Sequence, residues 1–437
     1  MKILHIFHHS NLLNGVDRTA LTLMRALARQ GADVRALVPQ RGSVTDALEA
    51  DGITFRVADL PCCTSPAPMA ELRFFAQAAS RAKEIATWLD EDRVDLVHLN
   101  TGHLIDGAIG AALTGTPAIW HIHAPFEVDY ARYARTMSPG GYAWLLGDLG
   151  SHVLAVSDDV RTSLLAHLEP DRVSTLYNGI DVAELDWRTE AEPSDLHSEL
   201  GLAASAPLVL GVGRISAQKD FAAFVRVAKE TVDRHAEVCF AIIGPPEDPA
   251  LAAALRDMIT DLRLERRVFV LGPRDDVPQL LDQAQIFLST AVFEGQGLAA
   301  LEAMALRKPV VAMACVGLRE CIVHDHDGLL VPPADEHAAA SALIELLENP
   351  ARAQSLGEKA RRAVLERFSA DTYARAFLSI AERVSGPVPG SRRVAAEYSL
   401  GLLGSAVNAF ERLSSTTVPA RSLPDRLKRK LRRLLHG

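Results

Sequence analysis

The sequence predicts an α/β protein built from two Rossmann-like, doubly wound domains with a C-terminal amphipathic appendage. Three observations predict it. The chain has 437 residues, 48% of them hydrophobic, which is enough for two ordinary cores. Short apolar runs alternate with helical patterns from the first residues onward, the rhythm of βαβ units on a parallel sheet. That rhythm stops at a polar, acidic stretch over residues 184–205 and then starts afresh.

Taken in order, residues 3–7 form a first buried strand and residues 18–30 a helix. A strand at 34–38, a helix over 70–90 and strands at 96–99, 118–123 and 153–156 complete a first domain, residues 1–185. The second series of strands, at 208–212, 238–244, 268–271, 286–289, 310–312 and 329–331, defines a second domain over residues 200–370. Gly386-Pro387-Val388-Pro389-Gly390 then breaks the chain and leaves 391–437 as an appendage. No solenoid repeat or low-complexity tract interrupts this plan.

Composition narrows the function. Cys62 and Cys63 are adjacent and Cys239, Cys315 and Cys321 are scattered, with no Cys-x-x-Cys spacing, so a reducing cytoplasm is the expected setting. The N-terminal apolar run is too short for a signal peptide, and no run of about 18 apolar residues offers a membrane span. Residues 421–437 carry seven basic side chains against Asp425, a net +6, so the other 420 residues carry −15 of the total −9. An acidic body of that kind argues against a nucleic-acid partner.

Residues 293–335 carry the chemistry. Gly295 and Gly297 remove side chains ahead of a run of helix formers, so backbone N–H groups at a helix start, at Gly297 and Leu298, can approach an anion such as phosphate. Glu302 is the only charged residue within 298–306, and a lone carboxylate there calls for a hydroxyl or cation. In the same domain Arg214 follows the strand at 208–212, with Lys219 five residues on. A fork-shaped guanidinium and a compact ammonium suit a diphosphate, although two solvated surface cations would give the same pattern.

Glu294 and Glu302, the Glu-Ala-Met-Ala run, the Lys-Pro-Val-Val strand, Gly317-x-x-Glu320 and Gly328-Leu-Leu-Val together resemble the donor-site segment of the retaining glycosyltransferases of family 4. Those enzymes have the GT-B fold, two Rossmann-like domains facing a cleft. The resemblance implies that Arg214 and Lys219 stabilise the departing nucleoside diphosphate, that Glu302 holds the ribose hydroxyls and that Glu294 contacts the donor sugar. It also implies a helix over 371–385 crossing back to the first domain, and no catalytic metal or other cofactor. Two positions depart from the pattern: Gln296 replaces an aromatic residue and Val316 replaces a glycine.

On the first domain the resemblance points to His123 as a donor-sugar or acceptor contact, with His98 and His103 as lesser acceptor-side candidates. His121 and His123 are two apart at a strand end and so share a face, but no third ligand at zinc spacing accompanies them. Gly15, behind an Asn14 that takes the place of a family glycine, permits close backbone approach near a phosphate or acceptor; a plain helix-entry turn accounts for it equally. Asn178-Gly179-Ile180-Asp181 matches a family motif and also reads as a tight turn. The Asp-x-Asp patterns at 90–92 and 325–327 read as solvated loop acids.

Leu427, Leu431, Leu434 and Leu435 recur at helical spacing among the basic residues of 421–437. Such a helix could rest on an anionic bilayer surface or on the acidic body. The expectation is a glycosyltransferase at the inner face of the membrane, moving a sugar from a nucleoside-diphosphate sugar to a glycan or lipid-linked acceptor in cell-envelope or exopolysaccharide synthesis. Alternatives are a synthase or phosphorylase acting on a soluble sugar, or an inactive scaffold. A nicotinamide dehydrogenase is disfavoured, because no Gly-x-Gly-x-x-Gly follows the first strand.

Overall fold

The computed structural model describes residues 1–12, 15–60, 68–133, 138–191, 194–386, 390 and 396–397. The chain divides into two compact units, one of Met1–Leu176 with the described residues from Ala374 onward, the other Tyr177–Tyr373. Asn14, Cys62, Cys63 and the basic segment 421–437 lie outside the described residues.

In the first unit seven parallel strands, β1 (Lys2–Ile6), β2 (Asp33–Val38), β3 (Thr54–Val57), β4 (Leu96–Leu99), β5 (Ala118–Ile122), β6 (His152–Ala155) and β7 (Val173–Thr175), lie in the order β3-β2-β1-β4-β5-β6-β7. In the second unit β8 (Leu208–Val212), β9 (Cys239–Ile243), β10 (Val268–Gly272), β11 (Ile286–Ser289), β12 (Val310–Met313) and β13 (Leu329–Val331) lie in the order β10-β9-β8-β11-β12-β13. The order reverses between β1 and β4 in one sheet and between β8 and β11 in the other, which opens a crevice beyond the carboxyl ends of those strands.

Strands buried on both faces explain the near-continuous apolar runs. In the second sheet Leu208, Leu210, Cys239, Ala241 and Phe287 enter one apolar cluster. Their neighbours Val209, Phe240, Ile242, Ile286 and Leu288 enter the other. The period of two thus feeds two helix-covered layers from every strand.

The structure departs from the sequence reading at several places. β3 and β7 carry no strong apolar run; they are short edge strands, β3 without a fully buried residue, and were not expected. The acidic stretch 184–205 is no linker, because helices Val182–Ala191 and Leu196–Glu199 run through it. Ile180, Val182, Leu185 and Leu196 are buried in the second unit's core, which is why the boundary falls after Leu176 rather than at 185. Arg361 fixes the first of these helices by pairing both guanidinium nitrogens with Asp186 and donating to the Ala305 carbonyl, at 2.5–2.8 Å. Asp327 is not a solvated loop acid: it is buried and accepts the Val323 N–H at 2.6 Å. The helix Ala370–Val384 spans the point, after Tyr373, where the chain is assigned back to the first unit. Among the described residues no helix is long and apolar enough to cross a membrane.

Candidate functional site

In the second unit two loops leave the neighbouring strands β8 and β11. The first holds Arg214 and Lys219 and ends at Asp220, whose carboxylate accepts the Ala223 N–H at 3.1 Å and caps the helix Phe221–Arg234. The second holds Thr290 and residues 293–297. Hydrogen bonds of Thr290, Val292 and Gln218 tie them together. The Thr290 hydroxyl reaches the carbonyls of Lys219 and Asp220 at 3.1 and 2.9 Å. The Val292 N–H donates to the Gln218 carbonyl at 2.9 Å. The Gln218 amide donates to the Phe293 carbonyl at 3.1 Å and to a Glu294 oxygen at 3.4 Å.

With the loops fixed in this way, Lys219 Nζ pairs with Glu294 Oε1. Both side chains line a pocket shared with Thr290, Ala299 and Leu318. Arg214 is brought to the same strand end, but its guanidinium is 42% exposed and pairs with Glu247 at 3.2 Å. It is therefore held at the rim while Lys219 is held within.

Gly297 stands at φ +89° and caps the helix Leu298–Ala305, with a Cβ there falling 2.3 Å from Leu318 Cδ2. Gly317, at φ +84°, would place a Cβ 2.6 Å from the Glu294 carbonyl oxygen. Two glycines thus let the 294–297 and 315–318 loops touch, and the Glu294 N–H donates across to the Val316 carbonyl at 3.0 Å. The helix then begins at Leu298, where the first N–H groups have no intrahelical acceptor and suit an anion. Glu302 is half-buried on this helix, next in sequence to buried Leu301 and Ala303. Burial, with the Glu294 charge adding to it, pushes the nearby Cys315 thiol up to about 12, so it is no nucleophile at neutral pH.

In the first unit Gly15 opens the helix Gly15–Arg29, and buried Asp17 lies 3.3 Å from His9. Histidines dominate what surrounds the β1/β4 switch. His5 Nδ1 lies 2.8 Å from His98 Nδ1, and His98 Nε2 lies 3.2 Å from His121 Nδ1. His121 and His123 rings are 4.5 Å apart, and among the described residues the buried Nε2 of His123 has no hydrogen-bond partner. Burial pushes His5 down to about 3 and His123 to about 4, and holds His98 and His121 well below the usual range, so the row is neutral. His98 is a core residue rather than a liner of an acceptor site: it is fully buried between His5 and His121 against Phe377. His103 contacts His8 and, at 3.3 Å, Thr101. Among the described residues no three histidine, cysteine or acidic side chains gather as a metal site.

Sequence reasoning missed Gln218, Glu247 and Thr290. Only Thr290 carried a readable signal, as the first polar residue past a strand next to the switch point.

Two family models divide the chain between them: Glycosyltransferase Family 4 matches residues 13–184 and Glycosyl transferases group 1 matches residues 194–363. A relative from Escherichia coli, UDP-Gal:alpha-D-GlcNAc-diphosphoundecaprenol alpha-1,3-galactosyltransferase, is 24% identical over 361 residues, 80% of this chain and 88% of that protein. Alpha-maltose-1-phosphate synthase of Mycolicibacterium smegmatis is 29% identical over 313 residues, 66% of this chain and 79% of its own. Among solved structures, Anabaena Alr3699/HepE in complex with UDP and glucose superposes with a TM-score of 0.70 at 22% identity, covering 87% of this chain and 99% of that one, which shows a shared GT-B fold.

Proposed function

The chain belongs to the group 1, family 4 glycosyltransferases, and from that membership we propose that it moves a sugar from a nucleoside-diphosphate sugar to a lipid-linked or glycan acceptor of the cell envelope, with retention at the anomeric carbon. By family and by fold it is a glycosyltransferase of GT-B architecture. The observation that carries the roles is the Lys219–Glu294 pair lining a pocket beside the glycine-led start of the helix Leu298–Ala305.

As the bond from the sugar to the diphosphate lengthens, positive charge grows on the anomeric carbon and negative charge on the leaving oxygen. Lys219, Arg214 and the N–H groups at Gly297 and Leu298 would meet the second, which is electrostatic stabilisation of developing charge. Glu302 would accept hydrogen bonds from ribose hydroxyls and Glu294 from a donor-sugar hydroxyl, as ionised carboxylates do. In the first unit, Gly15 and the neutral His123, whose Nε2 has no hydrogen-bond partner among the described residues, would serve the acceptor or donor sugar.

The lipid-linked acceptor is favoured by the E. coli relative, which spans more of this chain than alpha-maltose-1-phosphate synthase does. Neither the soluble-sugar synthase nor the inactive scaffold is favoured. The basic segment 421–437 would add an anionic-membrane contact, placing the enzyme at the inner face of the membrane. Liposome co-sedimentation of the full chain against one ending at residue 420 tests this: equal binding removes the membrane contact from the proposal.

The donor reading is tested by thermal shift with UDP, GDP, ADP and their sugar conjugates, on the wild type and on Lys219→Ala. Stabilisation by one series, reduced in the variant, is expected, because stabilisation follows ligand concentration over Kd. No stabilisation of the wild type by any of them at millimolar concentration overturns it.

A further inference from the structure

We infer that Gln296 is a positioning residue for the donor seat, a side-chain clamp that holds the 294–297 loop through the backbone of Asn178. Gln296 is 2% exposed. Its Oε1 accepts the Asn178 N–H at 2.6 Å and its Nε2 donates to the Asn178 carbonyl at 3.2 Å. The amide thereby takes the place of a paired strand residue, meeting both backbone groups of one buried residue. Neighbouring bonds brace the clamp from both sides. The Cys321 thiol donates to the Gln296 carbonyl at 3.3 Å, the Tyr373 hydroxyl donates to Asn178 Oδ1 at 3.4 Å, and the Tyr177 hydroxyl donates to Glu320 at 2.9 Å.

Both polar ends of the Gln296 side chain are consumed inside the protein, so it acts through its chain neighbours: Glu294 two residues before and Gly297 one after. An aromatic residue here, as in the family pattern, could not supply both bonds as the amide does and would leave at least one of the two backbone groups of Asn178 without its side-chain partner, a costly loss for a buried group. The clamp thus belongs to this chain's departure from that pattern. The inference rests on the reading of residues 294–298 as part of the donor seat.

The test uses the full chain, Gln296→Met and Gln296→Glu, measuring Kd for UDP, GDP and ADP and the unliganded Tm from pH 8 to pH 5. Methionine matches the shape and removes both bonds, so affinity for the preferred diphosphate should fall about tenfold at every pH. A protonated glutamic acid restores both bonds, with its O–H donating to the Asn178 carbonyl, whereas the carboxylate repels that carbonyl. Affinity of Gln296→Glu relative to wild type should therefore climb as pH falls, while the Gln296→Met ratio stays flat. The charged and titratable groups around the clamp, Glu294, Glu320, Cys321, Asp327, Arg367 and Tyr373, are common to all three proteins and cancel in these ratios.

Wild-type affinity in Gln296→Met, or an identical pH-independent loss in both variants, overturns the positioning role while leaving the donor reading intact. If the wild type binds no diphosphate, the donor reading falls and this role falls with it. The relative Tm of Gln296→Glu against pH then separates the two failures: a slope keeps the clamp without a donor role, and a flat line removes the clamp as well.

Discussion

Lys219 and Glu294, 75 residues apart in the chain, meet as an ion pair whose side chains are only 19% and 10% exposed. In the proposed donor seat an arriving diphosphate would take the ammonium while a sugar hydroxyl took the carboxylate. Each partner also satisfies the other while no ligand is bound.

Removing both partners should therefore cost less than the two single losses added together. Lys219→Ala and Glu294→Ala are each expected to lower stability by about 2 kcal/mol, and the double variant to lose clearly less than the sum. Denaturant midpoints for the four proteins check this, and strict additivity would show that the pair is not coupled. Turnover of Lys219→Ala should drop at least about 100-fold, as for loss of a charge-stabilising donor.

Glu302→Gln should keep the fold and weaken diphosphate binding by about tenfold, since an amide accepts ribose hydroxyl hydrogen bonds less well than a carboxylate. Calorimetric titration with the preferred nucleoside diphosphate reads the effect. Unchanged affinity would take Glu302 out of the proposed site.

The two loop glycines should differ. A Cβ at Gly297 meets the tip of Leu318, which can turn aside, whereas a Cβ at Gly317 meets carbonyl oxygens of Glu294 and Gly295 at 2.6 and 2.7 Å. Gly297→Ala is expected to cost about 1–2 kcal/mol, mostly left-handed backbone strain, and Gly317→Ala distinctly more. Thermal unfolding of the two variants gives the order directly, and the reverse order would contradict the packing of the loops.

Acid should weaken the first unit. His5 and His123 stay neutral down to about 3 and 4, while the same side chains titrate near 6.5 in the unfolded chain. Between those limits the unfolded state binds more protons, so stability is whole above about pH 7 and is lost as pH falls below 6.5. Each such histidine contributes a slope of up to about 1.4 kcal/mol per pH unit. Denaturant midpoints from pH 8 to pH 4 should trace that loss, and His98→Gln should flatten it. An unaltered slope would mean that His98 is not held neutral in the fold.

The apolar runs were long enough, and the helical periods regular enough, to give the two parallel sheets and the strands of the second unit nearly residue by residue. Edge strands β3 and β7 were not legible because weak burial leaves weak patterning. The helices Val182–Ala191 and Leu196–Glu199 were not legible because their polar faces dominate the composition; Val182, Leu185 and Leu196 are the residues by which they enter the core among the described residues.

By itself the sequence determined the fold class, the family and the residue types offered as a donor site, since all three rest on local periodicity and ordered motifs. Only the tertiary structure decided how those residues divide their work within each unit. Pairing Lys219 with Glu294, leaving Arg214 to Glu247 and turning Gln296 inward onto Asn178 all join segments 33 to 118 residues apart. Contacts of that range depend on which strands become neighbours in the sheet and how their loops close, and no local pattern in the chain encodes that choice.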